Sequence, residues 1–447
     1  MSSPLRIALI SEHASPLAAL GGTDAGGQNV YVAHVARCLA AKGHEVDVLT
    51  RRDTAQLPSA VDVRPGLRVL HIDAGPPAPV PKEALLPYMG EFGSRAVQLF
   101  RHSVPYDVVH ANFFMSALVG LRLRAVLAVP LVVTFHALGL VRREHQGEAD
   151  GFPPERIAIE QRVVREADRI VAECPQDQAD LVRAYGADAS RLSMVPCGVD
   201  LHEFGPGDKA QARRALGLPE HEFVVLQLGR MVPRKGVDNV IQAMAHLDGE
   251  PPARLLVVGG NSTDPDDGQT PEISRLRDLA QQTGVAPRVT FVGQRQRDSL
   301  RNFYLAADVF VSTPWYEPFG ITPLEAMACG TPVIGSDVGG IRYSVTEGVT
   351  GHLVPPRQPR VLAQRLAHLR ANPALAAAMG RAGVLRARSR FTWDRVATDL
   401  LDVYRNAARR HVVPRTVLSA ASGRASAGAA AVGAALAPAT LRHEANA

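Results

Sequence analysis

Glu317 and Glu325 flank a loop that reads Glu317-Pro-Phe319-Gly320-Ile321 and runs into a short apolar segment ending at Gly330. Carboxylates accept hydrogen bonds from sugar hydroxyls. Pro318 and Gly320 forbid a helix through the loop, and Pro323 is tolerated in the first turn of a helix starting near Ile321. Gly330 stands where a left-handed cap residue belongs. The N–H groups of Phe319, Gly320 and Ile321 then point out of a helix start, which attracts anions, phosphate above all. One loop thus offers acceptors for hydroxyls and donors for phosphate, the two kinds of group that a nucleotide sugar carries. Arg230 and Lys235 follow the apolar run Glu222 to Gln227, in a loop that also holds Arg234. Two fixed cations there can neutralise a leaving diphosphate without a metal. His136 closes a third apolar run, Pro130 to Phe135.

Apolar runs of parallel-strand type must position these groups. They occur at residues 5–11, 46–50, 69–72, 107–112 and 130–136, and again at 222–227, 254–260, 288–293, 307–312 and 351–355. Helical patterns lie between several of them, as at Val30 to Ala41 and Val237 to Leu247. The class is α/β, with a doubly wound βα series that occurs twice. Pro206-Gly207 marks the linker. This predicts two Rossmann-like domains, 1–205 and 206–390, facing across a cleft. A helix over 391–410 crosses back, and an Ala/Gly-rich tail, 411–447, carries no core pattern and is expected to be disordered. Ligands of such sheets sit at the carboxyl ends of strands, where Glu12-His13, His110 and His136 stand. The first βα turn is glycine-rich, Gly21-Gly22-Thr23-Asp24-Ala25-Gly26-Gly27-Gln28-Asn29, a place for phosphate, although it matches neither GxGxxG nor a P-loop. Gly139 to Gly147 reads as a basic loop, and Pro154 opens a helix that carries Arg156.

With 447 residues, 46% hydrophobic and 21% charged, the chain is globular and too long for a single core. A net charge of +5 suits anionic small molecules and leaves peripheral contact with an anionic membrane face open. No basic run with interleaved aromatics supports nucleic-acid binding. Cys38, Cys174, Cys197 and Cys329 have no metal-ligand spacing and form no disulfide framework, which points to a reducing, cytoplasmic setting. No signal peptide and no spanning segment are read. The acidic run Asp264-Pro-Asp266-Asp267 reads as a solvated loop rather than a metal site.

The Glu317-Pro-Phe-Gly-x4-Glu325 run, with Ala-x-Ala-x-Gly-Thr-Pro-Val-Ile behind it, resembles the Glu-x7-Glu signature of family 4 of the retaining glycosyltransferases. Gly-Arg230-x4-Lys235-Gly resembles a second signature of that family. The glycine-rich loop is similar to that of sucrose-phosphate synthases and of mycothiol-pathway glycosyltransferases. The resemblance implies a GT-B fold and metal-independent transfer of a hexosyl group, with retention, from a nucleoside diphosphate sugar. UDP-glucose is the leading donor, and the acceptor is a sugar, sugar phosphate, polyol or lipid-linked molecule. It implies that Glu317 contacts the donor sugar and Glu325 the ribose. Phe319, Gly320, Ile321, Gly26, Gly27, Arg230 and Lys235 would hold the diphosphate, and Arg295 would reach the base. His136 would orient donor and acceptor beside Asn29, with Arg142 and Arg156 toward a phosphorylated acceptor. Phe113-Phe114 and Ala137 stand where the mycothiol-pathway enzymes carry polar groups, which argues against an inositol phosphate acceptor. Sucrose-phosphate synthase is the narrower alternative, supported by His136 to Gly139. A non-catalytic nucleotide-sugar-binding module is disfavoured because every signature residue is present.

Overall fold

The computed structural model describes residues 3–17 and 26–410; Gly21 to Ala25 of the glycine-rich loop and the 411–447 tail lie outside the described residues. The first sheet contains β1 (Arg6–Ile10), β2 (Glu45–Arg51), β3 (Ala60–Arg64), β4 (Leu67–Ile72), β5 (Val108–Asn112), β6 (Leu131–Thr134), β7 (Arg169–Ala172) and β8 (Leu192–Met194). Its spatial order is β3-β4-β2-β1-β5-β6-β7-β8. Only the edge pair β3–β4 is antiparallel. The second sheet contains β9 (Phe223–Leu228), β10 (Ala253–Val258), β11 (Val289–Gly293), β12 (Val309–Ser312), β13 (Val333–Ser336) and β14 (Gly351–Val354). Its order is β11-β10-β9-β12-β13-β14, parallel throughout.

Both sheets are covered on both faces, which is why Ile7 to Ile10 of β1 and Val309 to Val311 of β12 are buried as continuous apolar runs. The strand order turns between β1 and β5 in the first sheet and between β9 and β12 in the second. A crevice opens beyond the carboxyl ends at such points. There stand Ser11 to His13 after β1, Asn112 at the end of β5, Arg230 after β9 and Glu317 after β12.

The amphipathic helix Trp393–Arg410 returns to the first domain and packs on the helix Gly27–Ala41. Its Tyr404 hydroxyl lies 2.7 Å from Nδ1 of His110, whose Nε2 lies 2.8 Å from Thr134 Oγ1. Trp393 stacks flat on His34, with ring centroids 5.2 Å apart. Among the described residues no helix is long and apolar enough to cross a membrane.

Three elements depart from expectation. β3 lies at an exposed edge, where half-exposed residues alternate with exposed ones and leave no apolar run to read. Phe114–Leu127 is a helix whose buried residues surround it, so it has no amphipathic period. Gly139 to Gln146 is a helix rather than a loop. Its opening N–H groups are capped from outside, by Glu160 on Gly139 at 2.9 Å and by the Tyr185 hydroxyl on Leu140 at 2.8 Å.

Candidate active site

The second domain's wall of the crevice is built by close backbone approach. Gly236 has φ 66°, and a Cβ there would lie 2.0 Å from the Thr313 carbonyl oxygen. Thr313 Oγ1 donates to Gly236 O at 2.9 Å, and Trp315 N donates to Arg234 O at 2.9 Å. The loop after β9 is thereby laced to the loop after β12. From the other side, Gly339 at φ 45° lets Glu317 O come within 1.9 Å of where its Cβ would be. The Glu317 loop is pinned between the two.

This lacing puts the Lys235 ammonium in direct contact with Glu317 Oε2. Arg234 Nη1 lies 3.9 Å from the same oxygen, and the Arg234 guanidinium sits 5.2 Å over the Tyr316 ring. Burial drives Lys235 down to about 8, against the opposing pull of Glu317. Burial pushes Glu317 up, but Lys235 and then Arg234 outweigh it, so the carboxyl is held below its ordinary value. Arg230 is lowered by burial first and by Arg234 next. Cations crowded around a single carboxylate invite further negative charge.

That charge has a ready seat. The helix Ile321–Cys329 begins after Gly320 at φ 90° and ends at Gly330 at φ 84°. Among the described residues, the N–H groups of Phe319, Gly320 and Ile321 donate to no other group. Opposite stands the start of the helix Gly27–Ala41: a Cβ on Gly27 would lie 3.6 Å from Ile321 Cδ1. Two helix starts, one from each domain, therefore face each other across the crevice, and both carry partial positive charge. The walls are tied by Gln146 Nε2 donating to the Tyr316 hydroxyl at 2.6 Å and by Cys174 Sγ at 3.4 Å from Pro318 O.

His136 sits in the left-handed region at φ 57°. A non-glycine residue held there is over-determined by its surroundings, which is common at working sites. Its Nδ1 lies 3.1 Å from Glu173 Oε1 and its Nε2 3.0 Å from Asn112 Oδ1. The Tyr31 ring meets it edge-on, with centroids 4.8 Å apart.

The structure thus brings together Arg230, Lys235, Glu317, Phe319, Gly320, Ile321 and Gly27. Gly26 caps the facing helix through its N–H on Asn29 Oδ1 at 3.0 Å. Two residues expected on the acceptor side are buried and engaged within the chain. Asn29 is only 2% exposed, and its amide is spent on that cap and on Ser15 O at 3.1 Å. Arg156 is 1% exposed, paired with Glu160 at 2.7 Å and enclosed by Phe113, Phe114 and Phe152. Arg142 reaches Asp150 through its Nε and stacks 5.0 Å over Phe152. Arg295 turns Nη1 onto Thr263 O at 2.7 Å and Gln294 O at 2.8 Å. The Glu325 carboxylate does not stand open: Arg297 and Tyr304 donate to its two oxygens, at 2.9 and 2.8 Å.

Arg234, Glu173 and Arg297 join the expected residues through their contacts with Glu317, His136 and Glu325. Arg234 had a signal in its place beside Lys235; Glu173 and Arg297 meet the site only through tertiary packing.

Twin sheet domains with a crevice at their switch points have the architecture of a GT-B glycosyltransferase. The chain belongs to the family described as "Glycosyl transferases group 1", whose model matches residues 208–386, with "Glycosyltransferase Family 4" matching residues 25–203. D-inositol 3-phosphate glycosyltransferase 1 of Catenulispora acidiphila is 41% identical over 416 residues, covering 91% of this chain and 97% of its own. Among solved structures, sucrose-phosphate synthase from Thermosynechococcus elongatus is 36% identical with a TM-score of 0.83, covering 91% of this chain and 100% of that one. Anabaena HepE in complex with UDP-glucose is 21% identical with a TM-score of 0.70, covering 89% of this chain and 98% of that one, a likeness of fold alone.

Proposed function

We propose that the protein transfers a hexosyl group, with retention, from a UDP-glucose-like donor to a hydroxyl of a phosphorylated sugar or polyol. The observation that carries this reading is the contact of Lys235 with Glu317 beside the bare start of the Ile321–Cys329 helix, facing Gly27. A diphosphate bound at the two helix starts draws Lys235, Arg230 and Arg234 to its oxygens. Glu317, freed from Lys235, accepts from the hydroxyls of the sugar. These cations neutralise the leaving diphosphate as its bond to the anomeric carbon breaks, so no metal is required in this scheme. His136, just past the carboxyl end of β6, orients the acceptor in this scheme. The acceptor leaves its proton on the departing phosphate, on the face where it enters.

The acceptor class is supported by the names of the relatives, an inositol 3-phosphate glycosyltransferase and a sucrose-phosphate synthase. Between the two, Ala137, where the mycothiol-pathway enzymes carry a polar group, favours a sugar phosphate over an inositol phosphate, whereas Phe113 and Phe114 are buried around Arg156. Incubation with UDP-glucose and either fructose 6-phosphate or inositol 3-phosphate, with and without EDTA, followed by product analysis by mass and by NMR of the anomeric centre, tests the scheme. A retained α-linkage in metal-free buffer is the expected result. An inverted product, or strict dependence on added metal, overturns it. Failure of UDP, GDP and ADP sugars alike to bind or react overturns the nucleotide-sugar reading itself.

A further inference from the structure

We infer that Arg297 is a positioning residue for the nucleotide, fixing the Glu325 carboxylate to the segment that joins the two domains. The inference rests on Glu325 being the group that accepts from a ribose. Arg297 opens the helix Arg297–Ala306 after β11. Its Nη1 donates to Glu325 Oε1 at 2.9 Å, and its Nε donates to Glu203 Oε2. The Tyr304 hydroxyl holds the other Glu325 oxygen at 2.8 Å. The Glu325 side chain is only 3% exposed. A carboxylate that deep is costly unless it is paired and hydrogen-bonded. One guanidinium and one hydroxyl therefore decide where its remaining lone pairs point.

Glu203 and Phe204 lie in the passage from β8 to the helix Lys209–Ala215. The Arg297 guanidinium rests 4.8 Å over the Phe204 ring while pairing with Glu203. The second Glu203 oxygen lies 4.0 Å from Nε2 of His34, on the helix that begins at Gly27. His34 in turn stacks on Trp393 of the returning helix. The charges of Glu325 and Glu203 keep Arg297 raised despite its burial. Arg297 thus bridges the acidic group on the diphosphate-binding helix and the connection between domains. The orientation of the ribose acceptor is tied to the relative setting of the two crevice walls.

A structural ion pair and a positioning one differ in what they do to nucleotide discrimination. The test uses the full chain and titrates UDP against 2′,3′-dideoxy-UDP, or the GDP or ADP pair if the wild type binds that nucleotide more tightly. The wild type should prefer the ribose form by about tenfold or more, the worth of a hydrogen bond to a charged group. Arg297→Gln should bring that preference close to unity, with KM for the donor rising far more than kcat falls. Arg297→Lys, which keeps the charge without the fork, should restore part of it. Glu203→Gln, which alters only a half-exposed group, should move the preference in the same direction and covers the case in which Arg297→Gln does not fold. Glu325→Gln separates the two layers of the argument. If Glu325→Gln keeps the wild-type preference, the ribose reading fails and the inference falls with it. If Glu325→Gln abolishes the preference while Arg297→Gln and Glu203→Gln retain it at a lowered Tm, the ribose reading stands and Arg297 is structural only.

Discussion

If the proposed donor site is right, the Lys235–Glu317 contact should make donor capture pH-dependent. Burial takes Lys235 from an ordinary 10.5 to about 8, a gap worth ~3 kcal/mol. In the free enzyme the ammonium is therefore lost above about pH 8, and one of the cations for the diphosphate is lost with it. The kcat/KM for the donor reports the free enzyme and should fall about tenfold for each pH unit above that point. Once bound, the diphosphate adds negative charge beside Lys235 and raises its pKa, so kcat at saturating donor should stay flat over the same range. Two variants fix the sign. Lys235→Arg keeps its charge throughout, so the alkaline fall should vanish even if overall activity is reduced. Glu317→Gln removes the attraction that opposes burial, so the alkaline limb should move below pH 8; nucleotide binding by calorimetry reads this where turnover is too slow. A wild-type kcat/KM that is level from about pH 7 to about pH 9.5 would falsify the argument. So would an unchanged alkaline limb in Lys235→Arg, because the titrating group would then lie elsewhere.

Glu317→Ala should lower transfer by orders of magnitude while circular dichroism and Tm stay close to wild type; near-normal transfer would remove Glu317 from the donor site. Gly339→Ala should destabilise by ~1–3 kcal/mol and weaken donor binding, because its Cβ would meet Glu317 O at 1.9 Å with φ at 45°. Gly348→Ala, equally left-handed at φ 72° but with open space around it, is the control and should leave donor binding alone. Burial pushes His110 from 6.5 down to about 3, so the folded chain refuses a proton that the unfolded chain takes up between those values. Its contribution to stability is complete above about pH 6.5 and is lost as pH falls, by up to ~1.4 kcal/mol per pH unit. Thermal unfolding of His110→Asn should start lower but decline less steeply with acid; parallel declines would show that His110 is not the sensor.

The repeated βα organisation was legible because parallel strands buried on both faces leave long runs such as Ile7 to Ile10 and Val309 to Val311. The Ile321–Cys329 helix was legible to its ends because Pro323, Gly320 and Gly330 each answer a backbone requirement. Gly139–Gln146 was not, since what makes it helical is Glu160 and Tyr185 arriving from other helices. The meeting of the loops after β9 and β12 was readable from the local spacing of Arg230, Lys235 and Glu317. The burial of Asn29 and Arg156 was not readable, because contacts with Gly26, Ser15, Glu160 and three phenylalanines turn them inward. Side-chain direction depends on neighbours far away in the chain, and no local pattern encodes it.

The returning helix has a bearing on how the molecule is made. His110 waits in the interior for the hydroxyl of Tyr404, a partner 294 positions downstream. As the polypeptide leaves the ribosome, every strand of the second sheet has emerged before that hydroxyl arrives. The half that is synthesised first is therefore the half completed last, and until then it keeps a buried imidazole and the face for Trp393 unfilled.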